Sequence, residues 1–276
     1  MDGRQPAPLG LGQVRLLQGV KVLKLYPPPG REVSAVYEDL ELTSTGRRGA
    51  ARPYVIINMV SSVDGRTALE GKAAGIGSAT DRLTMRTLRS RADAVMIGAG
   101  TLRAEKLSLG LDEAEGAPQP LAIIVTHTGD VPLEEHLIVK GGQEVLIVLS
   151  DAAPRRAVER LRSLAPVMSA PADSTGGVDL ERALLALQAE RGVESLVVEG
   201  GPGLNHALIS RHLVDELFVT LAPELLGGRA DQTLTLLQGP ALPTHDRPTL
   251  DLVSIHLSGG ELFLRYSLVW TLSRSL

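Results

Sequence analysis

The 276-residue chain contains no cysteine. Disulfides, thiolate zinc sites, iron–sulfur clusters and cysteine nucleophiles are thereby excluded. A cationic stripe is also missing: 28 lysines and arginines are scattered among 32 acids, for a formal charge of -4, so no nucleic-acid surface is expected. No apolar run approaches the roughly 20 residues of a membrane span. The N-terminus does not follow the basic-then-apolar layout of a signal peptide, so no membrane partner is expected and the cytoplasm is the expected compartment. Among the six histidines no pair has metal-ligand spacing on one helix, because His206 and His212 would face opposite sides. No metal is expected.

What is present is an ordinary globular composition, 43% apolar and 22% charged, which argues against disorder and for one generous domain with a large core. Residues 1–50 read as an N-terminal extension, partly irregular, because Pro27-Pro28-Pro29-Gly30 and Thr43-Ser44-Thr45-Gly46 break any long element. Val22, Leu23, Leu25 and Tyr26 are its expected anchors. Residues 51–276 form the main domain.

From Pro53 onward strands and helices alternate. Strands are expected over 54–59, 93–97, 121–126, 144–149 and 195–199, and helices over 81–91, 155–164 and 179–190. The strands are continuously apolar with little alternation, as in a parallel sheet covered on both faces. Leu180, Ala183, Leu184 and Leu187 form one helical core stripe, and Met85, Leu88 and Ala92 another; Thr80 and Asp179 are the expected N-caps. After Leu217–Leu221, the runs 250–257 and 262–269 flank Ser258-Gly259-Gly260-Glu261, a hairpin signal. The expected fold is α/β, a mostly parallel central sheet flanked by helices and closed by an antiparallel C-terminal hairpin.

Two glycine-rich bends follow apolar strands. Leu196-Val197-Val198-Glu199 runs into Gly200-Gly201-Pro202-Gly203-Leu204-Asn205 at a helix start, and Ala94–Ile97 runs into Gly98-Ala99-Gly100-Thr101. Backbone N–H groups at a helix start, aligned with its dipole, suit a phosphate, and two such bends suggest a dinucleotide. A tight turn without ligand is the plainer account of either, but four consecutive turn formers at 200–203 exceed what a turn needs. No G-x-G-x-x-G joins the first strand to the first helix, and Gly75-Ile76-Gly77 lacks the third glycine, so the cofactor site belongs to a sheet topology other than Rossmann. Asp64, in Ser61-Ser62-Val63-Asp64-Gly65-Arg66, is either a turn former or, like Glu199, an acid at the C-terminal edge of the sheet where ligands of open α/β sheets bind. Two acids there can accept hydrogen bonds from a heterocycle with amino and ring N–H groups.

Taken together, Ser62-Val63-Asp64-Gly65-Arg66, Leu88-Arg89, Asp93 through Gly98-Ala99-Gly100-Thr101, Val198-Glu199-Gly200-Gly201-Pro202, Leu213-Val214-Asp215-Glu216-Leu217 and Ala222-Pro223 through Gly227-Gly228 resemble the reductase domain of riboflavin biosynthesis. That domain is C-terminal in the bifunctional deaminase/reductase and has a dihydrofolate reductase-like fold. The resemblance runs from about Pro53 to Val269. It implies an NADPH-dependent oxidoreductase that reduces 5-amino-6-(5-phosphoribosylamino)uracil or its close precursor, with hydride passing to the sugar C1 of a ring-opened imine. It further implies substrate contacts at Asn58, Ser61, Asp64, Arg89 and Glu199, with Asp64 or Glu199 as the catalytic group that handles the proton. Cofactor contacts are implied at Val60, Gly77, Gly98, Ala99, Gly100, Thr101, Glu105 and the run Gly200, Gly201, Pro202, Gly203, Leu204 and Asn205. Thr126 and His127 fall where the family's loop approaches the adenosine 2′-phosphate, although an exposed polar loop is the plainer account of that pair; the Gly200–Gly201 peptide is expected to be cis, and a homodimer is implied.

The chain departs from the family pattern in three places. Asn58 stands where bifunctional members often carry Lys. Glu105-Lys106-Leu107 replaces Asp-Asn-Pro, and Leu109-Gly110-Leu111-Asp112 replaces a Leu-Thr-x-Arg whose Arg meets the substrate phosphate. Another cation, from Arg103, Lys106 and Arg89, is then expected to serve, or the substrate lacks that group. Without cysteine the deaminase zinc site cannot exist, and residues 1–50 are too short for that domain, so a stand-alone reductase is expected. Reduction of dihydrofolate or another pterin-like heterocycle on the same fold is one rival reading, and a non-catalytic nucleotide-binding protein another. Residues Leu213–Leu221 and the terminal hairpin carry Phe218 and Trp270 in apparent excess of one core's need, which hints at a symmetric partner surface.

Overall fold

The computed structural model describes residues 21–42, 51–69, 72, 75–105, 108–111, 118–133, 143–229 and 233–270. In chain order the elements are β1 (Val22–Tyr26), β2 (Arg31–Val33), β3 (Tyr54–Ser62), β4 (Ala68–Leu69), α1 (Ala79–Arg89), β5 (Ala94–Gly98), α2 (Ala99–Ala104), β6 (Leu121–Thr126), β7 (Val145–Ser150), α3 (Arg155–Arg162), β8 (Val167–Ala170), α4 (Leu180–Arg191), β9 (Ser195–Val198), α5 (Pro202–Ile209), β10 (Glu216–Ala222), β11 (Thr233–Leu234), β12 (Thr249–Ser258) and β13 (Glu261–Val269).

Among the described residues eleven strands form one sheet in the order β2-β1-β12-β13-β10-β3-β9-β5-β6-β7-β8. From β10 to β8 every pairing is parallel, and from β10 through β13, β12, β1 and β2 every pairing is antiparallel. The chain lays down β3, then β5 to β8 in one direction, and returns to insert β9 between β3 and β5. The carboxyl ends of β3, β5 and β9 therefore lie side by side at the crevice that open α/β sheets use for ligands.

Continuous apolar character has a direct structural cause, since alternate residues of each central strand feed separate cores on the two faces. Ile56, Val95, Ile97, Ile124, Ile147 and Val197 pack with Leu88 of α1, Leu102 of α2 and Leu161 of α3. Val55, Ile57, Met96, Ile123, Val148 and Val198 pack with Leu180, Ala183, Leu184 and Leu187 of α4 and Leu208 of α5. All six residues of β7 and all four of β9 are buried.

Helix starts follow side-chain chemistry. Asp179 caps α4 through the Arg182 amide at 3.0 Å, and Gly192 ends it in the left-handed region. For α1 the cap is Ser78, whose hydroxyl accepts from the Thr80 and Asp81 amides, rather than the expected Thr80. Thr80 is instead buried inside the first turn, where its carbonyl accepts from the Thr84 hydroxyl. The C-terminal hairpin turns on Gly259-Gly260, with φ of 58° and 89°, the mirror-image turn that matches strand twist.

Residues 22–33 of the N-terminal stretch extend this sheet, with β1 antiparallel on β12. Its hold comes from Val22, Val33, Val36, Tyr37 and Leu40, all buried, while Leu25 and Tyr26 are 41% and 38% exposed. Tyr37 meets Phe218 edge-on at 5.0 Å, so Phe218 is spent inside the molecule. Trp270 likewise stacks on His212 at 3.9 Å. Neither is surplus. No helix among the described residues is long and apolar enough to cross a membrane.

Candidate active site

The two glycine bends meet. The Gly98 amide donates to the Gly200 carbonyl at 2.8 Å, and the Glu199 amide donates to the Met96 carbonyl at 2.9 Å. The Gly200–Gly201 peptide is cis, and Gly200 has φ of 85°. A Cβ on Gly200 would lie 3.2 Å from the Met59 sulfur, and one on Gly201 would lie 3.0 Å from the Thr101 hydroxyl. Glycine at both positions lets the second bend close onto β3 and α2. Gly201 caps α5 without a side-chain hydrogen bond, with Pro202 in the first turn, so the amides of Gly203 and Leu204 have no intrahelical acceptor. This is a cradle of main-chain donors at a helix start.

A cavity of about 590 Å³ opens in front of it. Its lining includes Gly100, Thr101, Ala104 and Glu105 from α2 with Gly201, Pro202, Gly203 and Leu204, together with Asn58 and Val60 from β3, Arg89 from α1, Ser108 and Glu199. Arg89 and Glu199 form a forked ion pair, Nε to Oε1 at 2.8 Å and the terminal nitrogen Nη2 to Oε2 at 2.7 Å. The other terminal nitrogen donates to the carbonyls of Ser108 and Gly110 at 3.0 and 3.1 Å. Burial opposes the guanidinium's charge, but the Glu199 carboxylate more than offsets it and holds the Arg89 pKa above its ordinary value. With its three nitrogens so engaged, Arg89 orients Glu199 and anchors the 108–110 segment and is not a free phosphate ligand. Of the other candidate cations, Arg103 is turned to Asp130, whose carbonyl it meets at 2.6 Å. Lys106 and Asp112 lie outside the described residues.

Several sequence-nominated residues stand behind or beside the cavity. Gly98, Ala99 and Gly200 form the bends but do not line it. Asn205 is fully buried and donates to the Leu236 carbonyl at 3.1 Å. Ser61 is buried, with its hydroxyl on the Ser62 carbonyl. Thr126 accepts from the Gly129 amide through its hydroxyl, and His127 is exposed on the same loop. Asp64 is exposed and outside the lining. Its carboxylate accepts from the Ser62 hydroxyl at 2.7 Å and from the Leu226 and Gly227 amides at 3.1 and 2.8 Å, and these donors hold its pKa down to about 2. Asp64 thus ties the loop after β10 to the end of β3.

Sequence reasoning passed over Asp81, Met85, Thr67, Ala68, Leu234 and Gln238, all of which line the cavity. Asp81, Met85 and Arg89 recur every four residues on one face of α1, a spacing that could have found them from Arg89. Met85 faces this cavity, and of its expected core stripe Leu88 is fully buried. Gly77 is not in the lining either. It has φ of 85°, and a Cβ there would lie 2.6 Å from Asp81 Oδ2, so the glycine makes room for that carboxyl. Burial, with the nearby Glu261 and Glu199, pushes Asp81 up to about 6 against the opposing Thr220 hydrogen bond and Arg82 charge.

The RibD C-terminal domain family matches residues 53–264. A 2,5-diamino-6-ribosylamino-4(3H)-pyrimidinone 5′-phosphate reductase of Methanothermobacter thermautotrophicus is 31% identical over 219 residues, covering 78% of this chain and 98% of that protein. The protein of the same name from Archaeoglobus fulgidus is 33% identical over 66% of this chain and 86% of its own length. Among solved structures, RibD of Acinetobacter baumannii superposes with a TM-score of 0.66 at 22% identity over 80% of this chain and 59% of that one, a likeness of fold. With a family match across most of its length, this chain belongs to the RibD C-terminal domain family.

Proposed function

We propose that the protein is a nicotinamide-dependent reductase of a ribosylaminopyrimidine in riboflavin biosynthesis, with NADPH as reductant and a homodimer as its assembly. One observation carries the reading: two main-chain cradles from distant parts of the chain abut and share one cavity with the ion-paired Glu199. The relatives' names supply the substrate class. Leu250 and Val269, both 43% exposed at the open end of the terminal hairpin, support the dimer.

The residues present fit a dinucleotide. Thr101, Gly201, Gly203 and Leu204 would hold it, with phosphate oxygens on the first-turn amides of α5. A reduced nicotinamide bound there supplies a hydride. Glu199, held in one orientation by Arg89, accepts hydrogen bonds from the amino and ring N–H groups of a pyrimidine, and the Asn58 amide adds a donor and an acceptor. Met59, Met85 and Leu204 give the cavity apolar walls that exclude water from the transfer. Asp64, spent on the 226–227 amides, holds the loop rather than the proton in this reading.

The test is NADPH oxidation by the purified chain with the ribosylaminopyrimidine, its dephosphorylated form and dihydrofolate as substrates. Turnover of the ribosylaminopyrimidine, lost in Glu199→Gln, is the expected result. Turnover of dihydrofolate alone would move the protein to the pterin reading, and tight NADPH binding with no turnover of any of the three would make it a nucleotide-binding protein.

A further inference from the structure

Reduction of a ribosylamine needs a proton as well as a hydride. The sugar C1–O4 bond must break with the electron pair of the exocyclic nitrogen forming C=N, the pair from the broken bond goes to O4, and O4 takes a proton. A reduced nicotinamide held by Thr101, Gly201, Gly203 and Leu204 would supply the hydride that C1 takes, leaving the open-chain ribityl amine. One proton and one hydride are consumed, so the site must hold an acid. Asn58 has no proton of that kind to give. Glu199 spends both oxygens on Arg89.

We propose that Asp81 is the general acid of this reaction, delivering its proton to the sugar ring oxygen as the ring opens. The assignment rests on the function proposed above. Asp81 lines the cavity from the first turn of α1, on the same helix face as Arg89. Its carboxyl lies against Gly77, the one residue type whose backbone leaves it room, and the Thr220 hydroxyl, buried on β10, favours its charged form. Glu261 faces it from the start of β13, and both Glu261 oxygens are fixed by the Ser78 amide and hydroxyl. Glu199 faces it from the end of β9 and Tyr37 from the N-terminal stretch, while Arg82 on its own helix is the cation beside it. Burial first, and then the two fixed acids beside it, let this carboxyl hold its proton up to about pH 6, and a general acid works best close to the working pH.

The experiment compares wild type, Asp81→Asn and Thr220→Val for NADPH binding by fluorescence and for kcat and KM against pH. Asp81→Asn is expected to bind NADPH as wild type does, to keep KM within about 3-fold and to lose about 10²- to 10⁴-fold in kcat, with the fall of wild-type kcat above pH 6 absent. Thr220→Val removes a donor to the charged form, so its kcat is expected to fall at higher pH than in wild type. Asp81→Asn with kcat within about 3-fold of wild type, or a loss confined to KM, overturns the proposal. If Asp81→Asn fails to bind NADPH, Thr220→Val decides, and an unmoved pH limb overturns it. Wild-type protein inactive on the ribosylaminopyrimidine removes the function reading itself, a result distinct from an active enzyme that does not need Asp81.

Discussion

Asp81→Asn makes a prediction about stability that needs no substrate. In the folded protein the carboxyl titrates at about 6 against an ordinary 3.8, with burial the largest cause. Because the folded value is the higher one, the native state holds the proton more tightly, and this contribution is complete below about pH 3.8 and lost as the pH rises through about 6. At roughly 1.4 kcal/mol per unit the full shift is worth about 3 kcal/mol once the group is ionised in both states. Asp81 is only half-buried, so solvent screens part of its charge and this is a ceiling. Asparagine stays neutral at every pH. The variant should therefore exceed wild type by about half a kcal/mol at pH 4, growing to about 3 above pH 7, or about 6–12 °C in Tm for a chain of this size. Urea and thermal unfolding of both proteins at pH 4, 6 and 8 measure it. A difference flat across pH, or a variant less stable than wild type at pH 8, would refute the argument that fixed acids and burial strain this carboxylate. A residue that weakens the fold at working pH is what a retained chemical role looks like.

Two further outcomes are expected. Arg89→Met leaves Glu199 without its cation and should cost about 3–5 kcal/mol; Arg89→Met with Glu199→Gln should be more stable than the sum of the single losses implies, and strict additivity in urea unfolding would show that the pair is not coupled. Asp64→Asn should accelerate hydrogen exchange at the Leu226 and Gly227 amides and change kcat by less than about 3-fold. Since Asp64 is held at about 2, below its ordinary 3.8, its hold on that loop is present above about pH 3.8 and fades as the pH falls through about 2. A kcat loss in Asp64→Asn as deep as in Asp81→Asn would return the chemistry to Asp64.

The central strands were legible because burial on both faces leaves an unbroken apolar run, as in Ala94–Ile97 and Leu196–Val198. The hairpin was legible because Gly259-Gly260 has few other uses. β8 was not read from Val167–Ala170: it is four residues long at the sheet edge, with one residue exposed. β1 and β2 were hidden by the prolines between them, which mark the turn of a short edge hairpin rather than the end of order. In the site, glycine clusters after apolar strands gave away both bends, since few other causes produce that pattern. Asp64 sits at a strand end and before a glycine, and both a catalytic and a turn role fit that position until its partners are seen. Asp81 was invisible for a related reason. An acid in the first turn of a helix already has an explanation in the helix dipole, and only the approach of β10 and β13 gives it a second one.

The late insertion of β9 has a consequence for how the molecule is made. Tyr54–Ile57 of β3 and Ala94–Met96 of β5 have no common neighbour until Ser195–Val198 slides between them. A nascent chain that has emerged only to α4 carries a split platform with two unsatisfied central ladders, and neither half owns the second cradle or the partner of Arg89. Insertion of β9 thus joins the parallel half of the sheet and brings the second cradle and the partner of Arg89 in the same event, while β10, β12 and β13 still have to dock on the free edge of β3.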